Sequence, residues 1–165
     1  HVNSDYIVRR TSELFKAKPC FMYAPIILEN KALRDSLMNE SFYAPVYETM
    51  KACNIAIVGI GDMSSKSAFV QKKYISKTEN DILQRKNAVG EVCTHYFDLN
   101  GEIIESGLND RVLAIDLDSL KKIPLRLGVA YGSEKLSSII GAAKSKLINV
   151  LITNLETATE LYTML

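Results

Sequence analysis

The chain has 165 residues, 47% of them apolar and 24% charged, and a formal net charge of +1. These proportions fit one ordinary globular domain, long enough to bury a real core. They exclude the strongly basic surface that non-specific nucleic-acid binding needs, so a DNA-reading part, if there is one, lies outside these residues. No run approaches the roughly 20 apolar residues of a membrane span, and no secretory signal precedes the first helical pattern. Cys20, Cys53 and Cys93 are odd in number, far apart and without a CxxC pair. That usage fits reduced thiols of a cytoplasmic protein better than structural zinc.

Residues 3–16 space Ile7, Val8, Thr11, Leu14 and Phe15 as one helical face, with Asn3 or Ser4 as cap. The chain opens inside this pattern, which is expected of a fragment of something longer. "CFMYAPIIL" reads as a short strand, and "NKALRDSLMNE" and "SFYAPVYETMKAC" as two short helices, Pro45 lying in the first turn of the second. "NIAIVGIGD" has the unbroken apolar run of a central parallel strand covered on both faces. Residues 64–87 are polar and hold two small helices, "KTENDILQR" being the better defined. "AVGEVCTHYFDLNGEII" reads as two strands about an Asn100-Gly101 turn. "RVLAIDLDSLKKIP" gives a strand and a short helix stopped by Pro124, and "LRLGVAYG" another strand. "SEKLSSIIGAAKSK" is a helix with Leu136, Ile139, Ile140 and Ala143 on one face. "LINVLIT" is the last strand, and "NLETATELYTML" a final helix capped by Thr153 or Asn154, apolar at Leu155, Ala158, Leu161, Tyr162 and Leu165. The alternation indicates a single α/β domain over residues 1–165, with a mainly parallel, Rossmann-like sheet flanked by helices.

Open α/β sheets take ligands beyond the carboxyl ends of their strands. Three such ends are marked by glycine. In "VGIGD", Gly59 and Gly61 let backbone N–H groups approach a ligand and Asp62 can accept from a hydroxyl, although a tight turn explains the glycines equally well. In "AVGEVC", Gly90 allows an unusual backbone angle, and Glu91 is either an exposed acid or a partly buried one in need of a partner. In "LGVAYGSEK", Gly132 and Ser133 lead into a helix whose free N–H groups face the crevice. Lys135 sits there against the helix dipole, which an anion at the site would explain, as would simple solvation. His95, in the alternating "CTHYFD", reads as a packing residue, and Lys66, Lys72, Lys73 and Lys77 as a solvated basic stretch. No GxSxG, phosphate-loop lysine motif or dinucleotide fingerprint occurs, and no cofactor or metal is called for.

The segments "NIAIVGIG", "AVGEVCTHYFDLNGE", "RVLAIDLDSLKKIP", "LGVAYGSEKLSSIIGAA" and "INVLITNLETATELY" occur in the order found in SorC-type bacterial transcriptional regulators. The chain resembles the C-terminal effector-binding domain of that family over nearly its whole length. The resemblance implies a fold similar to sugar-phosphate isomerases and deaminases, here without catalysis, that binds a sugar or sugar phosphate. It implies operator DNA as a partner through an N-terminal helix-turn-helix absent from this chain, and a homo-oligomer, dimer or tetramer. It carries Lys135 to the effector phosphate, Gly132 and Ser133 to the donors beside it, Glu91 to an acidic position facing the sugar, and Asp62 to the loop after the central strand, beside Gly61. The sequence departs from the family at Tyr131, where glycine is common, and at Asn154, where aspartate is usual. Tyr131 would either narrow the anion site or stack on a sugar. The strand-loop-helix that supplies the family's other phosphate-binding loop is also outside these residues. The alternative implied by the fold is a phosphosugar isomerase or deaminase, with Glu91 or Asp62 as base.

Overall fold

In a computed structural model of the chain, residues 4–64, 71 and 74–164 are described. The first of the two helices expected within residues 64–87 lies largely outside them, as do Lys66, Lys72 and Lys73. Helix α1 (Ser4–Phe15) is followed by an irregular stretch, then α2 (Lys31–Asn39) and α3 (Tyr43–Lys51). Asn30 caps α2, its side chain accepting from the Leu33 amide at 2.9 Å, and Pro45 falls in the first turn of α3, where its missing N–H costs nothing.

The expected strand "CFMYAPIIL" shrinks to a single bridge between Ile27 and Val112. Pro25 withholds a donor, and the bridge rests on two bonds: Leu28 N to Arg111 O at 2.9 Å and Leu113 N to Ile26 O at 2.8 Å. The strand expected in "RVLAIDL" is reduced to the same bridge. Arg111 secures it by donating to Leu28 O at 2.9 Å and pairing with Glu79. Glu79 belongs to the capping box with Ser76 that starts α4 (Lys77–Arg85).

Strands β1 (Ile55–Gly59), β5 (Leu125–Val129) and β6 (Val150–Ile152) form a parallel sheet in the order β1-β5-β6. Strand β1 is therefore an edge rather than the centre, and its exposure alternates, with Ile55 54% and Ile57 67% exposed. An unbroken apolar run does not distinguish a strand buried on two faces from one buried on a single face. Val129, Val150 and Ile152 share the uncovered side in register with β1. The opposite side packs Ala56, Val58 and Leu151 on α6 (Leu136–Lys144), α7 (Leu155–Met164) and Met50 of α3, around Ile139, Ala142, Leu147, Ile148 and Leu161. In α7, Leu161 is buried as expected, but Leu155 and Tyr162 stand 84% and 83% exposed. Asn154 caps α7 through Thr157 N at 3.0 Å.

The second sheet, antiparallel in the order β2-β3-β4, contains β2 (Gly61–Asp62), β3 (Gly90–Val92) and β4 (His95–Phe97). Its tight turn is Cys93-Thr94, both at positive φ (51° and 66°), and not Asn100-Gly101. The latter makes a second reversal that returns Ile103 to Phe97. Gly90 is required for close approach rather than for an unusual angle: a Cβ there would sit 2.7 Å from Ser138 Cβ on α6. The Ser138 hydroxyl donates to Val89 O at 2.7 Å and locks that contact. His95 packs as expected, its Nε2 donating to Ile115 O at 2.7 Å. Helix α5 (Leu117–Lys122) is capped by Asp116 and ends before Pro124. No described helix is long and apolar enough to cross a membrane.

Candidate functional site

The hairpin separates two apolar clusters because its side chains alternate. Val92 and Phe97 belong to the core beneath the parallel sheet, and Tyr96 to a smaller cluster with Ile75, Leu83 and Ile104. Glu91 is the cross-strand partner of Tyr96 and of Gly61, so the three form a row on the side away from Val92. This row borders a cavity of about 540 Å³ at the carboxyl end of β1, where an open α/β sheet offers space for a ligand.

Five of the expected residues meet here. Gly59, Gly61, Asp62, Glu91 and Lys135 all line the cavity. Lys135 Nζ lies 2.8 Å from Asp62 Oδ2 and donates to Ile60 O at 2.9 Å. The counter-charge that the lysine's position calls for is thus supplied by the protein's own carboxylate. Gly61 has no Cβ because Glu91 Oε1 fills that space; any side chain there would collide with the carboxylate. Glu91 is 8% exposed, and its Oε2 accepts from Thr94 N at 2.8 Å, which helps hold the positive-φ turn.

The other three expected residues are placed elsewhere. Tyr131, 69% exposed, Gly132 and Ser133 lie just before Lys135 but are not in the cavity wall. Gly132 adopts φ 107°, and its N–H is already committed to Thr157 Oγ1 at 2.8 Å. Ser133–Lys135 is a 3-10 turn, so the α-helical register begins only at Leu136.

The electrostatics divide the two acids. Burial raises the Asp62 carboxyl, but Lys135 and Ser64 outweigh it and leave the group below its usual value. Glu91 is dominated by burial, with Asp62 pushing the same way and the Thr94 amide and Lys135 opposing; its carboxyl is pushed up to about 7. Burial, reinforced by Glu91, likewise pushes the Cys93 thiol up to about 12, so this cavity-lining cysteine is an inert thiol at neutral pH. Tyr96 and Asn80 also line the cavity. Tyr96 Oη and Asn80 Oδ1 are buried without a hydrogen-bond partner among the described residues. Neither was singled out by the sequence, because the pairing of Tyr96 with Glu91 depends on a hairpin register set by the unmarked Cys93-Thr94 turn.

A mixed α/β domain with a mostly apolar cavity at its strand ends, charged at Asp62, Glu91 and Lys135, has the form of a small-ligand-binding domain. The family described as "Putative sugar-binding domain" matches residues 1–163. The sorbitol operon regulator of Klebsiella pneumoniae is 27% identical over 158 residues, covering 96% of this chain and 50% of that protein. The deoxyribonucleoside regulator of Bacillus subtilis is 31% identical over 147 residues, covering 89% and 47%. A crystal structure of a transcriptional regulator from Streptococcus pneumoniae superposes with a TM-score of 0.89 at 32% identity, covering 99% of this chain and 64% of that one. The chain belongs to the sugar-binding domain family of SorC-type transcriptional regulators. It spans about half the length of these curated relatives.

Proposed function

We propose that the cavity binds a sugar or sugar phosphate and that the chain is the ligand-sensing part of a cytoplasmic, oligomeric regulator of carbohydrate metabolism. Operator DNA is contacted by another part of the protein. The observation that carries this reading is the convergence of Asp62, Glu91 and Lys135 on one cavity at the end of β1. Two carboxylates and an ammonium provide acceptors and donors for the hydroxyls of a sugar, and the apolar wall at Ile57, Ile60 and Ile75 suits its carbon faces. Gly61 serves by making room for Glu91. Lys135 has one N–H left after Asp62 and Ile60 O are satisfied, enough for a ligand hydroxyl or one phosphate oxygen. Gly132, Ser133 and Tyr131 border the approach to Lys135 and act on the ligand only where it extends beyond the cavity. A sensor works when its ligand binds two assembly states unequally, and the difference in affinity sets the shift in operator binding.

The test is a thermal-shift panel of sugars and sugar phosphates on the intact protein. At least one member raises the melting temperature, and Lys135→Ala removes most of that rise. A panel that leaves the melting temperature unmoved contradicts the reading.

A second reading, a phosphosugar isomerase or deaminase, draws on the Glu91 carboxyl at about 7, suited to proton transfer near neutral pH. The relatives are named as transcriptional regulators, which favours sensing. Turnover of a ketose or amino-sugar phosphate, lost in Glu91→Gln, would establish the enzyme instead.

A further inference from the structure

The charged end of the cavity has an unequal set of groups. Asp62 holds Lys135 at 2.8 Å, and the same ammonium is tied to Ile60 O. Glu91 must therefore share a cation that is already engaged. It accepts one hydrogen bond, from Thr94 N to Oε2, and no donor reaches Oε1 among the described residues. The other groups around it offer no charge to offset its own. Asp62 on β2 repels it, Cys93 and Tyr96 on the hairpin are neutral, and Asn80 on α4 lines the same wall as an uncharged amide. An ionised Glu91 leaves one net negative charge among Asp62, Glu91 and Lys135 at the cavity wall, with Oε1 open to a ligand's donor.

We propose that ligand binding is linked to the protonation of Glu91, so that a neutral sugar hydroxyl donated to its carboxylate drives a proton out of the site. The inference rests on the sugar-binding reading of the same cavity and adds its regulation. A hydroxyl adds a donor at Oε1 beside the Thr94 amide at Oε2, and hydrogen bonds to the charged form of a carboxyl favour that form. Binding of an uncharged sugar is then tighter above neutral pH than below it. A phosphate placed against Glu91 has the opposite effect, since a second anion beside Asp62 and Glu91 is tolerated best when Glu91 keeps its proton. The sign of the proton exchange therefore reports which end of the ligand meets Glu91, a choice that Lys135 alone does not make.

The experiment is isothermal titration of the intact protein at pH 6, 7 and 8, in buffers of different ionisation enthalpy. The probes are glucitol, ribose, fructose and their monophosphates. For a neutral probe that binds, protons are released at pH 7, and affinity rises about tenfold from pH 6 to pH 8, the limit set by linkage to one group titrating near 7. Glu91→Gln, a neutral amide of the same shape, binds that probe with an affinity independent of pH. A second measurement avoids any folding defect of the variant: the ¹³C carboxyl resonance of Glu91 in the parent protein titrates near 7 when free and lower when the neutral probe is bound. Binding without proton exchange, or a pH slope that persists in Glu91→Gln, overturns the inference and leaves the sugar site standing. Failure of every probe to bind overturns the sugar-binding reading and this linkage with it.

Discussion

Lys135→Met is the substitution that exposes the site's electrostatics most clearly. Methionine keeps much of the lysine's length and apolar stem but removes the charge, leaving Asp62 as a carboxylate whose side chain is 10% exposed and whose partner has gone. Removing one member of a fully buried pair costs about 3–5 kcal/mol. The lysine is 22% exposed and therefore partly screened, which brings the expected loss to about 2–3 kcal/mol, the bond to Ile60 O included. For a chain of this size that is a fall of about 5–10 °C in melting temperature. The assay is urea denaturation of the parent, Lys135→Met, Asp62→Asn and the double variant. In the Asp62→Asn background the lysine substitution costs less by at least about 1 kcal/mol, because no uncompensated charge remains. The loss also shrinks at acid pH, where Asp62 protonates. A Lys135→Met protein within about 0.5 kcal/mol of the parent, with the two substitutions additive, would refute the pairing as the reason for the lysine's place.

Other consequences can be read from single positions. Glu91 is raised in the folded state from 4.5 to about 7, so its contribution to stability is present below the unfolded value and is lost as pH rises through that window, by about 3 kcal/mol at most. Glu91→Gln therefore gains on the parent between pH 4.5 and pH 7.5, measured as the difference of two urea midpoints. Asp62, lowered in the fold, acts in the opposite sense and only at lower pH, losing its contribution as pH falls through its folded value. Gly61→Ala puts a methyl where Glu91 Oε1 lies and costs about 1–3 kcal/mol. Most of that cost disappears in a Glu91→Ala background, and its persistence there would show that something else is being displaced. Asn154→Ala removes the α7 cap and costs about 1 kcal/mol by the same denaturation assay.

Helix α7 is legible in the sequence with its cap, which the structure assigns to Asn154, whereas the caps Asn30 of α2 and Ser76 of α4 emerge only in the structure. The parallel strands are legible from their apolar runs, but their order is not. Ile55 and Ile57 have the same composition whether a neighbouring helix covers them or not, so the edge position of β1 emerges only from pairing. The Cys93-Thr94 turn carries no glycine or asparagine to announce it, and its left-handed backbone is supported from a distance by Glu91. Lys135 stands out locally as a cation against a helix start. Its partner could not be found that way, because Asp62 belongs to a different sheet and meets it only through the fold. Local chemistry thus marked Gly61, Asp62, Glu91 and Lys135, whereas tertiary pairing decided which neighbours complete the cavity and set Gly132, Ser133 and Tyr131 outside it.

The most direct measurement is a crystal structure of the intact protein saturated with the sugar or sugar phosphate that stabilises it most. The account predicts ligand density between Asp62, Glu91 and Lys135, with a hydroxyl within hydrogen-bond distance of Glu91 Oε1. Density confined to the separate hollow beside Tyr47, His95 and Asp116, or at the exposed Tyr131, with the first cavity still empty, would contradict it.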